Sequence, residues 1–245
     1  MTDFRLRSRN RLATAALFLA LFCAGRMFGA TVTWDGSDSD AWDTAANWDT
    51  GTVPTSADDV IIPDVGPLPN APVLDVDTDT IISLTIDASG TLEIPATFTL
   101  SVSGAIINNG TITSSGDISC GDFTSSDTFT SGATNTITAT GNVAISGTFD
   151  GTTTDNTLTM TGTATPTLNA SVTLGNLEID PGAGNSVALS ANLILDGDLT
   201  ITSGTFDLAT NNRQLDVTGT LTNAGTITGG TATLGFGGAA ANTGT

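Results

Sequence analysis

The sequence predicts an all-β protein, a right-handed parallel β-helix (β-solenoid) with coils of about 22 residues and a small Trp-rich N-terminal cap. Three observations support this fold class: a composition rich in Thr and Gly, short runs of alternating apolar residues, and a segment that recurs along the chain. Thr favours strands and Gly favours turns, whereas the sequence has no Lys and few Glu, residues that favour helices. Alternation with period 2, interrupted by turn residues every several positions, indicates short strands.

The recurring segment reads Gly, any residue, Leu, and then mainly polar residues up to a turn. Its copies begin at Gly175, Gly197 and Gly219, which are evenly spaced along the chain. Related segments begin at Gly104 and Gly141. Strand-like runs between the copies give each unit two or three short strands. A unit of this length is too short for a propeller blade of ~40 residues, and it fits one coil of a solenoid.

The chain divides into three predicted parts. Residues 1–30 hold a basic stretch and an apolar run over 12–24, which is the pattern of a secretory signal peptide and is too short for a membrane span of ~20 residues. Residues 31–72 contain all three Trp residues and then four Pro close together, which predicts a Trp-rich cap module and a Pro-rich linker. Residues 73–245 predict about seven solenoid coils, and we expect further coils beyond this fragment.

Charge is distributed very unevenly along the chain. Five of the 6 basic residues lie within the first 26 positions, so the part after residue 30 has 24 acidic residues, one basic residue (Arg213) and a net charge of −23. The sequence has no Lys, His or Tyr, which excludes imidazole bases, Lys Schiff bases and His-ligated metals. Such an acidic surface also argues against nucleic acid and anionic lipid as partners.

Only one cysteine, Cys120, follows the predicted signal peptide, so an exported chain has no internal disulfide. We expect Cys120 to be a small buried apolar side chain. Intermolecular pairing through this thiol is the alternative.

Two groups of acidic residues are candidate Ca²⁺ ligands, because carboxylate oxygens are the ligands that this cation prefers. They are an alternating row, Asp75, Asp77 and Asp79, and an acidic loop, Asp35, Asp38 and Asp40. On a strand, the row would point to one face. The alternatives are a solvent-facing row on an edge strand and a solvated turn.

The N-terminal residues resemble a module of known proteins. The matching positions are Trp34-x-Gly36, Trp42, Asn47-Trp48, Gly51, Pro54 and Asp58-Asp59-Val60-Ile61-Ile62. They resemble the N-terminal module of secreted bacterial β-helix surface proteins, which include autotransporter passengers and adhesin-like repeat proteins, and the later Gly-rich coils are similar to coils of those proteins. The resemblance implies a right-handed parallel β-helix, secreted or displayed on the outer cell surface, with an adhesive or scaffold role. Its partners would be a host or neighbouring cell surface, a polysaccharide or a matrix.

A carbohydrate-active enzyme is a less favoured alternative. Pectin-degrading β-helix hydrolases resemble one another in carrying paired Asp, an essential His and a basic substrate clamp. Here Asp58 and Asp59 are a candidate pair, but His and Lys are absent and Arg213 lies in a predicted turn. We therefore expect a non-enzymatic protein.

Ice binding is a second alternative, because the sequence contains repeated Thr-x-Thr triplets. A flat Thr face requires the triplets to stack once per coil, and their spacing along the chain is irregular. They begin at Thr111, Thr128, Thr136, Thr157, Thr200, Thr220 and Thr226. The spacing therefore predicts that Thr occurs here as an ordinary outward-facing strand residue.

Overall fold

The structure is a computed structural model, and it describes residues 29–64, 70–132, 134–150, 156–163, 167–170 and 172–245. The predicted signal peptide lies outside the described residues, except for Gly29 and Ala30, and so do Pro67 and Pro69 of the predicted linker. Within the described ranges, no helix has the length and apolar character needed to cross a membrane.

Short parallel strands wind into a β-solenoid of about eight turns with about 20 residues per turn, which confirms the predicted fold class. The one helical element of the described residues is a 3-10 turn, Ala45–Asn47. Coil length varies because the corners between strands contain different numbers of residues. Thus the coil that joins Ile106 to its partner Phe123 is short, whereas the coil that joins Val143 to its partner Leu168 is long.

From β3 onward each coil contributes one strand to each of three faces, and the strands are numbered in chain order. Face 1 is a sheet of ten strands, β1 Thr31–Thr33, β2 Asp59–Ile62, β3 Ser83–Ile86, β6 Ile106–Asn108, β9 Phe123–Ser125, β12 Val143–Ile145, β15 Thr167–Ala170, β18 Ser186–Leu189, β21 Thr205–Asp207 and β24 Thr226–Thr228.

Face 2 consists of two four-stranded sheets, the first with β4 Thr91–Ile94, β7 Thr111–Ser114, β10 Thr128–Ser131 and β13 Phe149–Asp150, the second with β16 Thr173–Leu174, β19 Leu193–Leu195, β22 Leu215–Val217 and β25 Leu234–Phe236. Face 3 is a sheet of eight strands, β5 Thr99–Ser101, β8 Asp117–Cys120, β11 Thr136–Ala139, β14 Thr157–Met160, β17 Asn176–Ile179, β20 Leu199–Ile201, β23 Leu221–Asn223 and β26 Ala240–Asn242.

The core runs along the inside of the solenoid as one continuous cluster of buried side chains from Val32 to Leu221. It forms because successive residues of a strand point to opposite sides, so every second side chain points inward. In β4, for example, Leu92 and Ile94 are buried whereas Glu93 is exposed. Stacking of parallel strands then places each inward side chain on its counterpart in the next coil.

The three Trp residues form a buried cluster at the N-terminal end of the core, as their clustering in the sequence predicts. The ring of Trp48 packs edge-to-face against Trp34 and Trp42, with centroid distances of 4.9 and 4.7 Å. Its indole Nε1 donates a hydrogen bond to the Trp42 carbonyl oxygen at 2.9 Å. Strand β1 pairs with β2, and β2 pairs with β3, so this cap continues face 1.

Candidate functional site

The alternating acidic row lies on the surface beside the first coils. Asp75, Asp77 and Asp79 are exposed and the residues between them are half-buried, so the predicted alternation is present although the segment belongs to no strand. Asp75 Oδ1 accepts a hydrogen bond from the backbone N–H of Asp43 at 2.9 Å, and Asp77 Oδ1 accepts one from the backbone N–H of Thr99 at 2.8 Å. These two carboxylates therefore connect neighbouring chain segments.

The acidic loop is organised around the buried side chain of Asn47. Asn47 Oδ1 accepts hydrogen bonds from the backbone N–H groups of Asp38 and Ser39, at 2.9 and 2.8 Å. Asp35 Oδ1 accepts a bond from the backbone N–H two positions later, and the side chain of Asp40 is exposed. The Asp35 contact is an Asx-type turn, and Asn47 provides a side-chain acceptor for two further backbone N–H groups of the loop.

Among the described residues, no three Asp, Glu or Cys side chains lie close enough together to hold one metal ion. Calcium binding at the row or at the loop stays a prediction, which calorimetric titration of the chain with Ca²⁺ can test.

Asp58 and Asp59 stabilise the turn before β2 and the next coil. The fully buried Asp58 accepts hydrogen bonds from the backbone N–H of Ala30 at 3.2 Å, and from the backbone N–H and hydroxyl of Thr55 at 2.9 and 2.7 Å. The side chain of Asp59 accepts a hydrogen bond from the Ser83 hydroxyl. Both carboxylates are therefore engaged with the chain itself.

Cys120 is buried, as predicted, on the inward side of β8. Burial, and after it the negative charge of Asp122, raise the pKa of this thiol to about 12. Because the thiolate is the reactive form, the folded protein keeps Cys120 unreactive near neutral pH.

Some of the Thr-x-Thr triplets lie on one another in neighbouring coils, although their spacing along the chain is irregular. Thr128 pairs with Thr111 on the neighbouring strand of face 2, so these two triplets occupy the same position one coil apart. Thr157 pairs with Thr136 on face 3 in the same way. Each of these two pairs of triplets is therefore stacked across one coil.

Two of the remaining triplets lie on face 3 with small shifts along the strand, and the third lies on face 1. The triplet at Thr200 lies two coils after the triplet at Thr157, and it begins one outward position further along the strand. The triplet at Thr220, one coil later, begins one outward position earlier than the triplet at Thr200. The triplet at Thr226 follows on the next face of the same coil, in β24. The uneven spacing thus combines steps between coils with steps between faces.

Face 3 carries most of these triplets, aligned in columns that run from coil to coil. Its central outward column is Ser101, Ser119, Thr138, Thr159, Glu178, Thr200, Thr222 and Ala241. Within the described part of the chain, the hydroxyl groups of Thr138, Thr200 and Thr222 make no hydrogen bond. They are therefore available to a partner.

Strand β17, which carries an acidic side chain, separates the Thr residues of face 3 into two groups. Glu178, in β17, accepts hydrogen bonds from the Thr159 hydroxyl at 3.2 Å and the Thr202 hydroxyl at 2.9 Å. Two positions later, Asp180 accepts a hydrogen bond from the Ser203 hydroxyl. Carboxylates on this strand therefore face the same side as the Thr columns.

The recurring Gly-x-Leu segment is explained at the corner that precedes face 3. Asn176 Oδ1 accepts a hydrogen bond from the backbone N–H of Asp198 at 2.8 Å, and Asp198 Oδ1 accepts one from the backbone N–H of Thr220 at 2.7 Å. Each of these side chains reaches over the Gly of the next coil. A Cβ at Gly197 would overlap the first oxygen, and a Cβ at Gly219 the second.

The related segments at Gly104 and Gly141 occupy a different place in the coil. They precede β6 and β12, which belong to face 1, whereas the segments at Gly175, Gly197 and Gly219 precede strands of face 3. The shared sequence therefore encodes a corner followed by a strand, and it recurs on more than one face.

A groove runs along the corner between face 3 and face 1. It has a volume of about 430 Å³, and its lining includes Gly204, Gly225 and the hydroxyl-bearing residues Thr202, Thr205 and Thr226. Ala183 and Gly184, from the loop after β17, line it as well. This loop also borders a second groove, of about 510 Å³, on the side of face 1.

Asp207 lies in the second groove. Burial by itself raises the pKa of its carboxyl group, but hydrogen bonds from the hydroxyls of Thr210 and Thr228 and from the backbone N–H groups of Thr210 and Ala209 lower the pKa below its ordinary value overall. This carboxylate is therefore fixed and ionised in neutral solution.

Fold and site together define a β-solenoid with a Trp-capped end and a hydroxyl-rich third face. A family model described as a domain of unknown function (DUF8693) matches residues 33–125, which include the Trp cluster and the first coils. No curated protein and no solved structure matches the chain.

Proposed function

We propose that this protein is a secreted or surface-displayed bacterial β-solenoid that acts as an adhesin or structural scaffold and not as an enzyme. The observation that carries the proposal is the stack of parallel strands on three faces around one apolar core, which is continuous on faces 1 and 3. Stacked repeats of this kind form extended, rigid rods with long exposed surfaces. Such a rod suits holding or bridging surfaces.

Charge further supports this proposal. The chain after residue 30 has 24 acidic residues and one basic residue, so its surface keeps the rod soluble and repels polyanions. Its partners would then be a host or neighbouring cell surface, a polysaccharide or a matrix. Ca²⁺ bound by surface carboxylates would reinforce such contacts.

Adhesion of beads coated with the purified chain tests the proposal. We expect saturable attachment to bacterial or host cells, or to matrix polysaccharide, above that of beads coated with the same chain after thermal unfolding. If the chain serves only as a scaffold, single-molecule pulling will show a high resistance to force without attachment. Beads that attach to nothing, together with a chain that unravels at low force, would contradict both roles.

Export is tested by expression of the full chain in a Gram-negative host. We expect removal of residues 1–30, or a few fewer, and recovery of the product outside the cytoplasm. A Leu17→Arg variant, which interrupts the apolar run, should remain unprocessed in the cytoplasm, whereas Leu17→Ile should behave as the parent. Equal processing of the two variants would argue against a signal peptide.

Ice binding is a second candidate, and the stacking of the Thr triplets on face 3 favours it specifically. It predicts a gap between the melting and freezing points of ice in solutions of the chain. A Thr138→Lys substitution, which puts a long charged side chain in the central column, should abolish that gap. A normal freezing point for the parent chain would remove this candidate.

A further inference from the structure

We propose that the C-terminal half of face 3, with the adjoining corner groove, binds a neutral polysaccharide. We define the threonine patch as Thr200, Thr202, Thr220 and Thr222, on β20, β23 and the residues beside them. The inference rests on the proposed adhesive function, since it assigns a surface and a partner class to that function.

The geometry of the patch suits a partner that is itself repetitive. Thr200 and Thr222 are paired on adjacent strands, whose spacing in a sheet is ~4.8 Å, and outward positions on one strand are ~6.7 Å apart. Thr is β-branched and stiff at χ1, so little side-chain freedom is lost when its hydroxyl binds. The hydroxyls of Thr200, Thr220 and Thr222 form no hydrogen bond with any other described residue.

The carboxylates beside the patch favour sugar hydroxyls over an ice surface. Glu178 and Asp198 lie on the same face, next to the Thr residues of the patch. A carboxylate is costly to desolvate unless donors replace its water. Hydroxyl groups of a polysaccharide can donate hydrogen bonds to the carboxylate, and its remaining acceptor positions can stay hydrated. The water molecules of an ice surface have fixed positions, so they cannot adjust to the place where the strand holds the carboxylate.

The negative charge of the protein favours a neutral polysaccharide over an anionic one. The net charge of −23 after residue 30 repels uronic acid and sulfated polymers, and Arg213 is the one basic residue there. A neutral chain with many hydroxyl donors complements a surface that presents carboxylates and free hydroxyls.

The corner groove supplies the concave part of the site. It shares Thr202 with the patch, and its volume of about 430 Å³ falls within the range of ligand sites, ~300–1,000 Å³. Gly184 on its lining has open space where a Cβ would lie, so a sugar ring can approach the backbone there. The hydroxyls of Ser203 and Thr226 also border the groove, and each already has a hydrogen-bond partner within the chain. A polysaccharide chain that follows the corner would contact the groove and the patch at once.

Depletion isotherms with insoluble cellulose and chitin, using the full chain, test this site. We expect saturable binding to at least one of these polymers, and none to the anionic polymer alginate immobilised on beads. A triple variant, Thr200→Val, Thr220→Val and Thr222→Val, removes three hydroxyls while keeping shape and strand preference, and it should weaken binding at least tenfold. The matched control, Thr111→Val, Thr113→Val and Thr130→Val, makes the same change on face 2 and should stay within twofold of the parent.

A second variant tests the groove independently of the patch. Ala224 is exposed and lines the groove, so Ala224→Gln fills it without entering the core. We expect a loss of binding of at least fivefold, with an unchanged circular dichroism spectrum.

Three results would overturn the inference. One is absence of binding to both neutral polymers. Another is equal weakening by the face 2 control. The third is a freezing-point gap that the face 3 variant abolishes, which would assign the surface to ice. Coated beads that still attach to cells after the triple substitution would retain the adhesive function and reject only this surface.

Discussion

At the scale of single residues, the coil-to-coil hydrogen bonds of Asn and Asp side chains explain much of the repeat. A corner leaves backbone N–H groups without a strand partner, and a side-chain oxygen can serve as their acceptor instead. Asn176 and Asp198 provide it by accepting bonds from the next coil at 2.8 and 2.7 Å. Gly197 and Gly219 follow from this, because the side chain from the previous coil takes the space that a Cβ would occupy.

A Gly219→Ala variant tests this explanation. The new Cβ would overlap Asp198 Oδ1 and the Gly197 carbonyl, so we expect a loss of about 1–3 kcal/mol in the free energy of unfolding. Gly229→Ala is the control, since no atom lies within 4 Å of a Cβ at Gly229. Thermal unfolding followed by circular dichroism measures both, and equal midpoints would reject the explanation.

The buried thiol gives a second prediction at this scale. Because burial and the charge of Asp122 raise the pKa of Cys120 from 9.0 to about 12, we expect no alkylation of Cys120 in the native chain at pH 8 and complete alkylation of this thiol in denaturant. The raised pKa also means that the stability linked to this thiol is complete below pH 9 and is lost as the pH rises towards 12. A Cys120→Ala variant should lose that part of the pH dependence. Rapid labelling of the native chain would contradict this prediction.

At the scale of structural elements, the Trp cluster closes the end of the core. A solenoid coil buries its inner face only against a neighbour, so the first coil needs a cover. Trp48 contributes edge-to-face packing on two sides and a hydrogen bond from its Nε1. The cap is thus held to the coils by the same apolar core that runs through them.

Removal of that central ring should destabilise the N-terminal coils. For Trp48→Ala we expect a loss of about 3–5 kcal/mol, the range typical of large aromatic side chains removed from a core. Trp48→Phe keeps an aromatic ring and should lose only about 1–2 kcal/mol, mainly from the missing hydrogen bond to the Trp42 carbonyl. Urea unfolding curves measure both changes. Equal losses for the two variants would mean that packing of the ring matters little.

At the scale of the whole molecule, charge opposes compaction. With 24 acidic residues and one basic residue after residue 30, folding brings like charges closer together. Carboxylates that bond to backbone N–H groups of another coil, as Asp198 does, offset part of this repulsion locally. Salt can screen the repulsion that remains.

We therefore expect the melting temperature to rise by several degrees when NaCl is raised from ~10 to ~150 mM, because the screening length falls from ~30 to ~8 Å. KCl should act equally at the same ionic strength. A larger rise with CaCl₂ at matched ionic strength would indicate specific binding, and it should then vanish when Asp75, Asp77 and Asp79 or Asp35, Asp38 and Asp40 are changed to Asn. A melting temperature that does not depend on salt would contradict the repulsion.

The sequence by itself determined the solenoid, its buried core and its Trp cap, because alternation of apolar residues is a local property that decides which side chains point inward. Only the tertiary structure decided which residues share a face. Coils differ in length, as the short step from Ile106 to Phe123 and the long step from Val143 to Leu168 show, so a distance along the chain does not give a position on a face. Strand pairing alone sets that register, and for this reason the Thr columns and the groove beside them could not be predicted from spacing.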